Sequence, residues 1–254
     1  MTHIQQKSSM LSLGVFIFIY LALLTGLEFL VAVTFNSVPL LVVFALVKAA
    51  LVVYYYMHIY KLNLESEPDE HSDGFKTGTN RLGLWLFLIS DSFVFGGLMI
   101  TRINLLGLTR PELNQLLGVA VTAMLLISSF FMNRGETLMH NGDRKGFLLN
   151  AGITFVLGLG FLLGVVLVEW PLAIHEGLTP SSGPAGAVFF MMTGMHAFHV
   201  LTGLILLAII IANARRGLYD EKNYPVEAAA VYWHFVDVVW IFFYPALYLI
   251  GSLA

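Results

Sequence analysis

Hydrophobic residues in this chain are grouped into seven long segments, separated by shorter polar stretches. The segments cover approximately residues 11–35, 38–60, 82–104, 113–132, 147–169, 185–213 and 229–253. Each is close to the roughly 20 apolar residues that a helix needs to cross a bilayer. Alternation of polar and apolar residues is weak, which argues against the strands of an outer-membrane barrel. The pattern predicts an all-α, polytopic membrane protein with seven transmembrane helices.

Basic residues are distributed unevenly over the polar stretches. With the N-terminus inside, most of the 13 Lys and Arg residues fall on the inner side: Lys7, Lys61, Lys76, Arg81, Arg134, Arg144, Lys145, Arg215, Arg216 and Lys222. The outer stretches hold Arg102 and Arg110, and Lys48 lies within the second segment. This positive-inside bias predicts an inner N-terminus and an outer C-terminus.

The longest polar stretch, residues 62–81, is acidic and contains Pro and Gly. Such a composition is typical of a solvated linker. It divides the chain into an N-terminal two-helix hairpin over residues 1–61 and a five-helix bundle over residues 82–254.

Charged side chains within the segments require partners, because an isolated charge at bilayer depth is costly. Glu28 and Lys48 lie at depths that differ by only about 5 Å at 1.5 Å per helical residue. We therefore expect them to form an ion pair across the hairpin. The alternative is that each pairs with another subunit.

A second polar group is expected in the inner half of the membrane. Counting along the helices places Asp91, His234 and Asp237 at similar depth, and the spacing of three puts His234 and Asp237 on one helix face. These groups suit an intramembrane proton-exchange site. The alternative is a hydrogen-bonded Asp91 that fixes helix packing.

His196 and His199 share a face of the sixth segment in TGMHAFHV. Such a pair suits a metal ion, but a closed site needs further ligands. The sequence therefore favours hydrogen-bonded histidines and no metal site. Glu169 and Trp170 end the fifth segment at the outer interface, and the glycines of VLGLGFLLG favour close helix packing.

Composition narrows the function further. Hydrophobic residues make up 58% and charged residues 11%, with a net charge of −3 and no cysteine. Without cysteine there is no thiolate metal site, no haem attachment through C-x-x-C-H and no cysteine-held iron–sulfur cluster. Without a basic stripe, nucleic-acid binding is not expected.

Several long motifs resemble subunit III of the haem-copper oxidases, the cytochrome c and quinol oxidases of respiratory chains. They are LFLISDSFVFGG, NGDRKGFLLNA, VEW, TGMHAFHVLTG and EAAAVYWHFVDVVWIFFYPALYLIGS, in order over about residues 82–254. The hairpin stretch LVKAALVVYYYMHIYKL looks more like the small prokaryotic subunit IV of these oxidases. One residue departs from the family pattern, because Asp91 stands where the family usually has Glu.

The resemblance implies a non-redox subunit of a terminal oxidase in a bacterial inner membrane. It would pack on subunit I and stabilise it, with subunit II and other small subunits as further partners. Membership of a respiratory supercomplex is left open. Haem and copper would lie in partner subunits. Asp91 would be the family's intramembrane carboxylate, supporting proton uptake. Phospholipids would lie in a cleft between the hairpin and the bundle, with four headgroup candidates: His58, Arg81, Arg215 and Arg216.

Three other functions stay open. An accessory subunit of a nitric-oxide reductase would share the five-helix core. A freestanding proton-coupled transporter would use Asp91, His234 and Asp237, although no inverted repeat is visible. A metal permease would bind its metal at His196 and His199.

Overall fold

The computed structural model describes residues 3–35, 37–57, 73–219 and 224–253, which are mostly helical. The helices are α1 His3–Thr34, α2 Val38–Leu51, α3 Asp73–Leu106, α4 Gln115–His140, α5 Arg144–Leu163, α6 Trp170–His175, α7 Pro184–Arg215 and α8 Tyr224–Tyr244. Three π-helical turns follow α2, α5 and α8: Val52–Tyr56, Gly164–Glu169 and Pro245–Leu249. Two short strands, β1 Thr109–Arg110 and β2 Ser252–Leu253, pair in parallel.

Within the described ranges, seven helical stretches are long and apolar enough to cross a membrane. This confirms the predicted number of spans and the all-α class. The fifth span, Arg144–His175, is not one regular α-helix. It consists of α5, a π turn and α6.

The boundary between linker and bundle differs from the prediction. Helix α3 begins at Asp73, whereas the third segment was expected to start at residue 82. Residues 73–81, which were assigned to the linker, are helical in the structure. Hydropathy detects only the apolar part of a helix, so it does not reveal the polar turns that precede that part. The remaining linker residues, 62–72, lie outside the described residues.

Helix α8 lies at the centre of the molecule, with α2, α3, α4 and α7 packed against it. In the most apolar stretch of the α8 span 78% of the residues are buried, compared with 11% in that of the α3 span. It is also the least hydropathic of the seven spans. A helix surrounded by protein can carry hydrogen-bonded polar side chains that a lipid-facing helix cannot.

Glycines of α5 and α7 leave room for the Trp233 ring of α8. A Cβ atom added at Gly158 would lie 2.4 Å from the ring of Trp233, and one at Gly203 would lie 3.0 Å from it. The indole Nε1 of Trp233 donates to Ser128 Oγ on α4, at 3.0 Å. The close packing expected of the glycine-rich fifth segment is therefore present at Gly158.

The hairpin helices α1 and α2 pack on each other, α1 contacts α4, and α2 contacts α8. Helix α3 packs on α7 and α8 instead. We call the end where α7 ends and α8 begins the basic end, because Arg215 and Arg216 lie there, and the other end the opposite end.

At the opposite end, Arg102 binds the π turn that follows α8. Arg102 is 2% exposed, and its guanidinium donates to four carbonyl oxygens, at 2.6 to 3.1 Å. The acceptors are Gly107, Thr109, Ala246 and Ile250. Because these carbonyls end α3 and the π turn after α8, Arg102 ties the two helix ends together.

Candidate functional site

A carboxylate–histidine pair joins α3 to α7 inside the membrane span. Asp91 Oδ2 lies 3.0 Å from His199 Nε2, with the two side chains 15% and 9% exposed. The other ring nitrogen, Nδ1, lies 2.7 Å from the carbonyl oxygen of Met195. A carbonyl only accepts, so the His199 Nδ1 atom that faces Met195 carries a hydrogen. The Nε2 atom of His199 is thereby turned towards the carboxyl group of Asp91.

An apolar cavity of about 710 Å³ lies beside His199, between α3, α7 and α8. Near the Asp91–His199 pair its polar lining residues are His199, Thr202 and Tyr232. The Tyr232 hydroxyl lies 2.6 Å from Thr202 Oγ1. Tyr224, at the start of α8, lines the cavity at the basic end. The cavity therefore runs from the basic end to the depth of the Asp91–His199 pair. It lies on the α3 and α7 side of α8, not against the hairpin.

Arg81 lies near that basic-end mouth, but it is not a free cation. Its guanidinium forms a bidentate pair with Glu227 of α8, at 3.0 and 2.9 Å. The side chains are 19% and 15% exposed. Arg81 was expected to bind a lipid headgroup; in the structure a carboxylate occupies the face of the guanidinium that a phosphate would use.

The structure separates two of the polar residues that were grouped with Asp91. His234 Nδ1 lies 2.9 Å from Ser129 Oγ of α4, and its ring lies 5.0 Å from that of Tyr56. Asp237 also faces Ser129. His234 and Asp237 share one face of α8, as their spacing predicts, but this face turns away from Asp91. A single site made of Asp91, His234 and Asp237 is therefore corrected to two separate groups.

The hairpin carries the ion pair that its sequence predicts, within one chain. Lys48 Nζ lies 2.6 Å from Glu28 Oε2, and the Glu28 side chain is completely buried. The pair faces the same surface of α8 as Asp237, since Lys48 interacts electrostatically with that carboxyl. Glu28, Lys48, His234 and Asp237 thus form one buried polar region where the hairpin meets the bundle.

His196 and His199 do not converge on one point. His196 is fully buried and packs against the rings of Phe161, Trp240 and Phe243 at centroid distances of 5.4, 4.9 and 6.2 Å. Neither of its ring nitrogens has a hydrogen-bond partner among the described residues. His199 is instead turned towards Asp91. Among the described residues, no three or more His, Cys, Asp or Glu side chains are grouped so that they could hold a metal ion.

Glu169 lies in the π turn before α6 and is 3% exposed. Its Oε1 accepts a hydrogen bond from the hydroxyl of Tyr248, which lies in the π turn after α8. Trp170, which follows Glu169, donates from Nε1 to Thr193 Oγ1 at 3.1 Å. These bonds join the fifth span to the sixth and seventh near the opposite end.

Two of the remaining lipid candidates lie at the basic end. Arg215 and Arg216 end α7, and both are exposed. His58 lies outside the described residues. The structure thus leaves Arg215 and Arg216 as the described cations of this set that are accessible to a headgroup.

Sequence reasoning did not pair Asp91 with His199, although a signal for it exists. Asp91 lies 15 residues before the end of α3 at Leu106, and His199 lies 15 residues after the start of α7 at Pro184. Both helix ends lie at the opposite end, so the two side chains have equal depth. The roles of Arg102 and Glu227 were also not foreseen.

Comparisons with known proteins agree with the motifs. A family model described as "Cytochrome c oxidase subunit III" matches residues 2–252. The chain is 37% identical over 184 residues to "Cytochrome c oxidase subunit 3" of Bacillus sp. (strain PS3), covering 68% of this chain and 87% of that protein. It is 32% identical over 192 residues to "Cytochrome bo(3) ubiquinol oxidase subunit 3" of Pseudomonas aeruginosa, covering 72% and 91%. It is 35% identical over 179 residues to "Quinol oxidase subunit 3" of Bacillus subtilis, covering 68% and 87%.

Proposed function

Because the chain belongs to the cytochrome c oxidase subunit III family, an accessory subunit of haem-copper terminal oxidases, we propose that it packs on catalytic subunit I and stabilises it during turnover. The observation that carries this is the family match over residues 2–252. Haem and copper lie in other subunits in this proposal. Affinity purification of the tagged chain should recover subunits I and II with oxidase activity. Recovery of a nitric-oxide reductase, or transport by the reconstituted chain alone, would contradict it.

The Asp91–His199 pair is proposed to support proton uptake. The 3.0 Å distance between Asp91 Oδ2 and His199 Nε2 supports this proposal, because a carboxylate and an imidazole this close can share a proton. In this proposal the proton is held at Oδ2 or Nε2, which lie 3.0 Å apart. Asp91 still contacts His199 although it is one methylene shorter than the Glu usual in the family.

The test uses Asp91→Asn, which removes the carboxylate but keeps the shape. We expect the oxidase to inactivate after fewer turnovers, or to lose proton uptake selectively at high pH. Asp91→Glu should retain wild-type behaviour, and Ser92→Ala, on the neighbouring exposed position, serves as the control. If Asp91→Asn leaves prolonged turnover and its pH profile unchanged, the pair has a packing role only.

The cavity between α3, α7 and α8 is proposed to hold an acyl chain of a phospholipid. Its walls are apolar and its mouth lies at the basic end, where Arg215 and Arg216 provide exposed positive charge for a phosphate headgroup. This position differs from the expected cleft between the hairpin and the bundle. In the structure, α2 and α8 are in direct contact there.

The lipid proposal is tested by filling the cavity. Ala228→Phe places a ring in the volume that the chain would occupy, and native mass spectrometry of the purified oxidase should show one phospholipid fewer. Val156→Phe, at an exposed position of α5, is the matched control and should leave the count unchanged. Equal lipid counts in both variants would contradict the assignment.

The proposed orientation places the N-terminus and the basic end inside, in a bacterial inner membrane. The distribution of Lys and Arg supports it. Because the chain lacks cysteine, single cysteines report topology cleanly. Glu176→Cys should react with an impermeant maleimide from outside, and Arg216→Cys should react only after the membrane is opened. The reverse result would invert the topology.

The hairpin is proposed to take the place of a separate subunit IV. Its buried pair, Glu28 and Lys48, lies at the contact with α8, so the hairpin is a fixed part of the subunit. A mass-spectrometric inventory of the intact oxidase should then contain no separate subunit IV. Detection of one at equal stoichiometry would contradict this proposal.

A further inference from the structure

A charge imbalance is buried where the hairpin meets the bundle. Two carboxyl groups, Glu28 of α1 and Asp237 of α8, face one cation, Lys48 of α2. The three residues are 0%, 2% and 2% exposed. Lys48 is bonded to Glu28 at 2.6 Å, so its charge is largely used by that carboxylate. A second ionised carboxylate would leave a net negative charge inside the membrane span.

The described neighbours that interact with these three residues add no second permanent charge. Tyr56, at the end of the π turn after α2, interacts with Asp237, and Tyr244 of α8 interacts with Glu28. Both are phenols, which are neutral near pH 7. From α4 the hydroxyl of Ser129 faces Asp237 and His234. His234 is the one titratable neighbour on α8 that becomes a cation when it gains a proton.

Unsatisfied atoms point to a proton at this position. Glu28 Oε1, Asp237 Oδ2 and the hydroxyl of Tyr244 have no hydrogen-bond partner among the described residues. A buried carboxylate with an unpaired oxygen takes up a proton rather than remain charged in apolar surroundings. We propose that Glu28, Lys48 and Asp237 form a proton-holding site, in which Lys48 balances one carboxylate and an exchangeable proton neutralises the other.

This site is separate from the Asp91–His199 pair, and its members come from both the hairpin and the bundle. Loss of the proton would leave two carboxylates facing one ammonium group at the contact between α2 and α8. Proton occupancy and hairpin docking are therefore coupled.

Infrared difference spectroscopy of the intact oxidase tests the count of protons. With one carboxylic acid and one carboxylate in the wild type, either Glu28→Gln or Asp237→Asn should remove one protonated carboxyl C=O band. This holds whichever residue carries the proton, since the remaining carboxylate then pairs with Lys48. Lys48→Met should add one such band, because neither carboxylate is balanced any longer. The bands should shift in deuterated water.

The matched control is Glu112→Gln, the same chemical change at an exposed position, which should leave the acid band unchanged. If Asp237→Asn and Glu28→Gln instead remove a carboxylate band, both groups are ionised in the wild type and the proposal fails. That result would place the balancing proton on His234. The two amide variants preserve side-chain shape, so the test does not depend on whether Lys48→Met folds.

Discussion

Substituting Gly158 by alanine tests the packing of α5 against the central helix. The new methyl group would lie 2.4 Å from the Trp233 ring and 3.1 Å from Leu204, both well inside van der Waals contact. The ring must move by about 1 Å, which costs about 1–3 kcal/mol for an overpacked core. The movement also breaks the bond from Trp233 Nε1 to Ser128, a loss of about 1 kcal/mol. Alanine returns about 1 kcal/mol through its higher helix propensity, so we expect a net loss of about 1–3 kcal/mol.

The assay is denaturant unfolding in detergent, followed by tryptophan fluorescence. Gly160→Ala is the matched control on the same helix, since its Cβ meets only Met124 Sδ at 3.6 Å. It should be neutral or slightly stabilising. A double-mutant cycle sharpens the test, because Ser128→Ala should destabilise the wild type but cost little beside Gly158→Ala. Equal stability of the Gly158 and Gly160 variants would refute the reasoning.

The remaining predictions concern the ion pairs and the opposite end. Arg102→Ala should lower the unfolding free energy by about 3–5 kcal/mol, because it leaves buried carbonyls without their charged donor; Arg102→Lys should rescue little, since an ammonium lacks the guanidinium fork. Arg110→Ala loses one bond to a backbone carbonyl, at Gly251, and the bonds to the side-chain oxygen of Gln115, and should cost about 1–2 kcal/mol; equal losses at the two arginines would contradict the assignment. Breaking the partly exposed Arg81–Glu227 pair with Glu227→Gln should cost at most about 1 kcal/mol. That loss should shrink at high salt, and a salt-independent effect would contradict it.

The spans, the Gly158 contact and the Glu28–Lys48 pair follow from one-dimensional reasoning. Hydrophobic length fixes what crosses the bilayer, and residue counting fixes depth. Glu28 and Lys48 lie in consecutive helices that must be neighbours, so equal depth was sufficient to pair them. The same counting failed for Asp91 and His234, because depth does not state which helix lies on which side of α8.

The rotation of α8 about its axis explains why Asp91 and His234 do not meet. Tyr232 bonds to Thr202 of α7, and His234, two residues later, bonds to Ser129 of α4. Two residues turn a helix by about 200°, so these neighbours face opposite sides. The sequence shows that turn, but only the packing of α3 against α7 shows that Asp91 lies on the Tyr232 side. Arg102 was missed for a related reason, since its acceptors are backbone carbonyls that no sequence pattern marks.

The central position of α8 has a consequence for biogenesis. It is the last of the seven spans in chain order, yet α2, α3, α4 and α7 all pack against it. While the ribosome is still making it, Ser128 and Ser129 of α4 have no Trp233 or His234 to bond, and Lys48 faces no Asp237. Until α8 is inserted, these polar side chains of the earlier helices therefore lie in the membrane without their α8 partners. Insertion of the final helix then completes the core in one step, which makes this stage the point most vulnerable to misassembly and to membrane quality control.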